Sequence, residues 1–184
     1  MNLKKEIENY VPFNEQEEKD KKQFLKFINT FDDILTRKNT FGHFSSSAFV
    51  VNKERNKMLG VYHLIYNGWI YPGGHADGEN DLLSVAIREI KEESGLTPKI
   101  LDDSIFSIQS VAVKGHMKRG EYVLPHIHFD TIYLMEADDK TPLAYKKDES
   151  KGIKWISFEN IADENICDFG RPIHEKLVKK LFSK

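Results

Sequence analysis

The chain has 184 residues, 40% of them hydrophobic and 30% charged, and a formal net charge of −2. That composition suits a globular domain with a substantial core, and the near-neutral charge excludes a global nucleic-acid footprint. The single cysteine, Cys167, excludes an internal disulfide framework and fits a reducing compartment. No apolar run approaches the length of a membrane span, and the charged N-terminus lacks a signal-peptide core, so a cytoplasmic protein is expected.

Residues 1–41 read as an N-terminal helical extension, and 42–184 as the main domain. Leu3, Ile7 and Tyr10 keep helical spacing up to Pro12, which ends the segment. A second helix is expected from Glu15 to Phe31, with Phe24, Phe27, Ile28 and Phe31 along one stripe. Packing on the main domain is the simplest use of that stripe. A homodimer contact, or a lid that shapes a pocket, is the sharper alternative.

Strand signals begin at Ser46 and run to Val51, followed by a polar turn over Asn52 to Asn56. Met58 to Ile65 reads as the returning strand, apolar on both faces, with His63 as a core or rim residue. Asn67-Gly68 is a turn signal, and Trp69 to Pro72 leads into Gly73 and Gly74.

Gly73 to Leu96, GGHADGENDLLSVAIREIKEESGL, is a glycine turn, an acidic loop and one helix. Asp81 is placed to cap its start, and Gly95 to end it in the left-handed conformation. Leu83, Ile87, Ile90 and Ser94 give a stripe expected to pack on a sheet. Glu89, Glu92 and Glu93 fall within roughly 100° of arc on another side of the helix. Like charges at that spacing cost a few tenths of a kcal/mol per pair. For three glutamates alone, a solvated acidic face is the bland reading. Arg88, four residues before Glu92, can pin that side chain, and the two glycines let backbone come close. Those neighbours favour a hard divalent cation among the carboxylates, Mg2+ first and Mn2+ as a substitute.

The order glycine, five residues, acid, seven residues, then Arg-Glu-apolar-x-Glu-Glu-x-Gly-apolar resembles the box of the Nudix hydrolases. It runs through Gly74, Asn80, Arg88, Glu89, Ile90, Glu92, Glu93, Gly95 and Leu96. Asn80 stands where the box has its first acid, and Glu79 is the neighbour able to take over that supporting role. The resemblance covers about 24 residues strongly and the surrounding chain loosely.

Beyond the helix, Pro98–Leu101 and Ser104–Val113 read as strands. The loop Lys114 to Pro125 carries His116, Lys118, Arg119, Glu121 and Tyr122 around two glycines. It is either a solvated hairpin or a flap whose cations meet phosphate while Tyr122 touches a base or sugar. In His126 to Leu134, alternation puts His126, His128 and Asp130 on one face that turns apolar at Ile132 and Leu134. That pattern suits a sheet end beside a cleft. These side chains, with His75, could bind zinc or iron. The simpler use, preferred here, is bonding to phosphate, to each other or to backbone. Glu149, ahead of the strand Ile153–Ile156, resembles the family's late-loop acid, with Glu121 as its rival. A short helix is expected from Phe158, and a C-terminal helix with Ile173, Leu177 and Leu181 on its apolar line.

The resemblance implies an α/β/α sandwich around a mixed, curved sheet, with the box helix on one face, the C-terminal helix on the other and the N-terminal helices outside. It also implies hydrolysis of a diphosphate bond in a small nucleotide substrate, by water attacking phosphorus. The metal ligands would be Glu89, Glu92, Glu93 and the Gly74 carbonyl. Arg88 would orient the glutamates, Glu92 or Glu149 would act as base, and His75, His126, His128, Lys118, Arg119 and Tyr122 would bind substrate. Two alternatives share the fold: a non-catalytic nucleotide sensor, and an isomerase of the isopentenyl-diphosphate type, which would need a catalytic cysteine. Nothing near Cys167 lowers a thiol pKa, so it reads as structural. A nucleic-acid module is disfavoured, because the basic residues form no long stripe.

Overall fold

The structure is a computed structural model and describes residues 3–118, 120–144, 150–161, 164–167 and 170–183. Helix α1 spans Leu3–Asn9 and α2 spans Glu15–Thr30. The strands that follow are β1 Gly42–Val51, β2 Lys57–His63, β3 Gly68–Ile70 and β4 Gly73–His75. Next come α3 Leu82–Ser94, β5 Lys99–Ile100, β6 Ser107–Val113, β7 His116–Lys118 and β8 Glu121–Val123. The chain continues through β9 His126–Glu136, β10 Ser150–Ser157, a 3-10 turn Phe158–Asn160 and α4 Gly170–Leu181.

The main sheet runs β10-β2-β1-β9-β5, with β6 also on β9, β3 on β2 and β4 on β1. It is mixed: β1 and β9 are parallel, and their neighbours pair antiparallel. One edge of β1 has two partners in turn. β2 meets it at Val51↔Met58, and β4 takes over from Ser45 to Ser47. The glycine strand therefore lies beside the half of β1 that carries small polar side chains.

β1 starts at Gly42, four residues ahead of the expected Ser46. Its first half has no apolar alternation because His43, Ser45 and Ser47 occupy one face, and the ladder to Ile127–Asp130 of β9 makes it a strand. β6 starts at Ser107 rather than Ser104 because Asp102 accepts from the Ser104 N–H at 2.9 Å and closes a turn.

Phe44, Ala48 and Val50 of β1 face one core cluster, with α1, α2 and α3 above them. Phe49 and Val51 face the other, with Leu177 and Leu181 of α4. The N-terminal helices belong to the first cluster rather than lying outside it. Phe24 meets Phe44 and Phe129 edge-on at 5.4 and 5.2 Å, and Phe27 stacks on Phe129. The phenylalanine stripe is thus spent on the main sheet. Glu17 of α2, fully buried, pairs with Lys176 at 3.1 Å and Lys180 at 3.2 Å of α4 and ties the two layers together.

On α3, Asp81 caps the start through the Ser84 N–H, and Gly95 ends it at φ 73°. The buried stripe is Leu82, Val85, Ala86, Ile90 and Ser94. Leu83 and Ile87, assigned to it from spacing, sit half-buried at its margin. The apolar arc is rotated toward Val85 and Ala86, both fully buried in the cluster that β1 also faces.

Candidate active site

Strand register gathers the polar side chains. Across β1 and β9, His43 faces His128 and Ser45 faces Asp130; across β1 and β4, Ser45 faces His75 and Ser47 faces Gly73. Gln109 of β6 sits opposite Asp130. Paired residues share a face, so one end of the sheet presents all of them together. Asp130 is the floor. Its Oδ1 accepts from Ser45 and Ser47, each at 2.9 Å, and its Oδ2 from Tyr71 at 3.2 Å and Gln109 at 3.3 Å. Burial pushes the Asp130 carboxyl above its usual range, against the pull of those four donors. With every lone pair engaged, Asp130 locks β1, β6 and β9 in place rather than moving protons.

The acidic side lies behind the glycine strand. Glu93 Oε2 accepts from the Gly73 N–H at 3.0 Å. A Cβ on Gly74 would run into the Glu89 carboxylate, with its oxygens at 2.6 and 2.7 Å, so only glycine lets strand and carboxylate approach this closely. Arg88 holds Glu89 at 3.2 Å and stands 4.0 Å from Glu92. Glu79, Asn80, Arg88, Glu89 and Glu92 line one open hollow. An all-oxygen donor set beside backbone freed of a Cβ fits Mg2+, which needs few protein carboxylates and leaves room for phosphate oxygens.

On the cleft side, Gly73, Gly74, Ser45, Asp130 and His128 line a cavity of about 100 Å³. It adjoins a cavity of about 250 Å³ walled by Arg37, Lys118, His116 and the histidines at 43, 75, 126 and 128. The Lys114–Pro125 loop folds as the β7–β8 hairpin, whose pairs are His116↔Val123, Met117↔Tyr122 and Lys118↔Glu121. Alternation turns His116, Val123 and Lys118 toward the cavity. Tyr122 lies on the opposite face, 61% exposed, with its hydroxyl over Gly115 of its own hairpin. It does not line the cleft, contrary to expectation. Arg119 and Glu149 lie outside the described residues.

The structure brings His75, His126 and His128 together, and adds His43, Ser45, Ser47, Tyr71 and Gln109, which the sequence reading passed over. The signal for His43, Ser45 and Ser47 is their shared parity, which a strand beginning at Ser46 does not contain. Burial lowers the pKa of His43 to about 4 and of His75 to about 3, and it lowers His128 well below its usual value. His63, on the wall of both cavities, is lowered to about 4 by burial too. These rings are neutral at neutral pH. Cys167 is buried in the second core cluster against α4, away from the cleft lining.

A family model described as NUDIX domain matches residues 43–180. An m7GpppN-mRNA hydrolase, NUDT17 of Xenopus laevis, is 30% identical over 92 residues, which are 50% of this chain and 29% of that protein. The chain thus spans less than a third of that relative's length. A C. elegans Ap4A hydrolase binary complex superposes with a TM-score of 0.55 at 19% identity, over 76% of this chain and 95% of the other. The NUDIX domain of Shewanella oneidensis NrtR complexed with ADP ribose gives 0.52 at 15% identity, over 98% and 99%. Both likenesses are in fold.

Proposed function

We infer that this chain, which belongs to the NUDIX domain family, is a pyrophosphohydrolase that hydrolyses a diphosphate bond in a nucleoside diphosphate linked to a second moiety, or in a nucleoside triphosphate. Water attacks phosphorus, and a divalent metal is required. The observation that carries this reading is the glycine wall: Gly73 and Gly74 line the cleft on one side and touch Glu93 and Glu89 on the other. The relatives named above act on or bind an mRNA cap, Ap4A and ADP ribose by their descriptions. In all three ligands a phosphate chain joins a nucleoside to another group, and two adjoining cavities suit such a molecule.

Glu89, Glu92, Glu93 and the Gly74 carbonyl would hold Mg2+, which when bound offsets phosphate charge and acidifies a water. Arg88 orients Glu89 and Glu92. Lys118 draws phosphate oxygens from the hairpin side, and Arg119, outside the described residues, keeps the phosphate-binding role its charge suggests in the sequence. His75, His126 and His128 line the cleft where the ligand's oxygens would lie. The proton of the attacking water passes to a carboxylate, Glu92 or Glu149. Tyr122, facing away, is assigned no contact. With one buried cysteine and no membrane-spanning helix among the described residues, a cytoplasmic enzyme is the setting we adopt.

The test is a panel of dinucleotides, nucleotide sugars, ADP-ribose and nucleoside triphosphates, incubated with Mg2+ in 18O-labelled water. Label is expected in a phosphate product of at least one substrate, and only with the metal present. A panel left intact would favour a nucleotide sensor; products without label in phosphate would exclude attack at phosphorus.

A further inference from the structure

We propose that His43, His75 and His128 form a second cation site, separate from the carboxylates of α3. It takes a borderline divalent transition metal, Zn2+ before Fe2+, Co2+ or Ni2+, and keeps one coordination position open to the cleft. Among the described residues, these three offer ligand atoms that all lie within 4.8 Å of one another. Their ring centroids form a nearly equilateral triangle, 5.1 Å from His43 to His75, 4.9 Å from His43 to His128 and 4.8 Å from His75 to His128. Three imidazoles bound to one zinc at about 2.1 Å in tetrahedral directions would have centroids about 5 Å apart. Binding requires the rings to turn until their ligand nitrogens lie about 3.4 Å apart, the spacing set by tetrahedral Zn–N bonds of about 2.1 Å.

His43 supplies the strongest motive. It is 3% exposed, and among the described residues neither ring nitrogen has a hydrogen-bond partner. The Asn39 carbonyl acts on the ring, yet falls outside hydrogen-bond geometry. A buried imidazole left unpaired costs free energy of order 1–3 kcal/mol, and a metal would recover it.

The proton pattern agrees. His126 Nδ1 lies 2.8 Å from the Leu124 carbonyl, which can only accept, so that nitrogen carries a hydrogen. In the tautomer with its hydrogen on Nδ1, His126 presents a lone pair at Nε2, which meets His128 Nε2 at 3.0 Å. His128 must donate there, which leaves its Nδ1 lone pair free. A ligand histidine that gives its other N–H to a fixed acceptor is how metal sites set ring tautomer and direction. On this reading His126 positions His128 and does not itself ligate.

The donor set decides the ion. Three neutral imidazoles suit zinc and its neighbours and suit Mg2+ poorly. Three protein ligands with a free position resemble reactive rather than purely structural zinc sites. The free position opens on the cavity of about 250 Å³, where Lys118 already favours anions. Arg37, whose charge acts on His75, is held by Asp77 at 2.8 and 2.6 Å. An anionic oxygen of the bound ligand is the natural fourth partner.

The test reads metal uptake, so it stands whether or not the chain hydrolyses a diphosphate. Chelator-stripped full-length protein is dialysed against Zn2+ in excess Mg2+, and zinc per chain is measured; Co2+ is then substituted and its visible spectrum recorded. One zinc per chain is expected, with the intense bands of four-coordinate cobalt. His75→Gln and His128→Gln should each weaken zinc on the order of 100-fold or more, His126→Gln by roughly 10–100-fold, and Glu93→Gln not at all. Metal-free melting of each variant reports folding. No retained zinc, zinc held equally by the His75→Gln and His128→Gln proteins, or zinc lost in Glu93→Gln would overturn the site. Should the histidine variants fail to fold, the wild-type spectrum decides, because the weak bands of six-coordinate cobalt would also overturn it.

Discussion

Replacing Gly74 by alanine separates the site from the fold. The new Cβ would meet the Glu89 carboxylate, whose oxygens stand 2.6 and 2.7 Å away, well inside van der Waals contact. That carboxylate is the far end of a flexible side chain, so it swings off while β4 stays paired with β1. Displacing a reacting group by about 1 Å costs on the order of 10²-fold in rate, or about 2.7 kcal/mol in the barrier. Stability should change by less than about 1 kcal/mol, because Gly74 has no left-handed backbone to lose. Gly73→Ala is the contrast. Its Cβ would strike Ser47, with Cβ at 2.6 Å and Cα at 2.7 Å, so backbone must move and a stability loss of about 1–3 kcal/mol is expected. Steady-state turnover across a Mg2+ titration, alongside urea unfolding, measures both. Wild-type turnover by folded Gly74→Ala protein would refute the placement of Glu89 in the site.

Glu17→Ala leaves Lys176 and Lys180 buried without their carboxylate, a loss of about 3–5 kcal/mol. At roughly 2–4 °C per kcal/mol for a chain of this size, the melting temperature should fall by about 6–20 °C; a drop under about 3 °C would discount the ion cluster. Burial opposes the Glu17 charge, but Lys176, with the Ser107 and Tyr10 hydroxyls, wins and lowers its pKa to about 2 from 4.5. A depressed carboxylate stabilises the fold above its unfolded pKa, and that contribution is lost as pH falls from about 4.5 toward about 2. The stability gap between wild type and Glu17→Gln, about 3 kcal/mol at neutral pH, should therefore close over that window in pH-dependent unfolding. Phe24→Ala, wedged between Phe44 and Phe129, should cost about 3–5 kcal/mol in the same assay, against well under 1 kcal/mol if the N-terminal helices only decorate the domain.

Local chemistry made the box readable from sequence. The Asp81 cap, the Gly95 terminus and the Glu89–Glu93 patch each depend on residues within a few positions of one another, as do the helical stripe of α2 and the alternation in β9. What sequence spacing could not supply was register. His43 and Ser45 become site residues only because β1 runs parallel to β9 with His43 against His128, a pairing across more than eighty positions. Tyr122 turns away from the cleft for a related reason: within the hairpin its side of the strand is set by pairing with Met117, and that pairing is invisible without knowing where the turn falls. The ion cluster beneath α2 is hidden as well, since Glu17 looks like a solvated helix residue until Lys176 and Lys180 arrive from the far end of the chain.

The most direct measurement is calorimetric titration of Mg2+ into wild-type and Glu93→Gln protein with a nonhydrolysable diphosphate ligand present. Glutamine keeps the oxygen that accepts from Gly73 and removes only the charge, so both proteins should fold alike. Saturable uptake by the wild type, weakened by roughly 10–100-fold in the variant, is what cation-holding carboxylates on α3 require. No uptake by the wild type, or equal uptake by both, would contradict it.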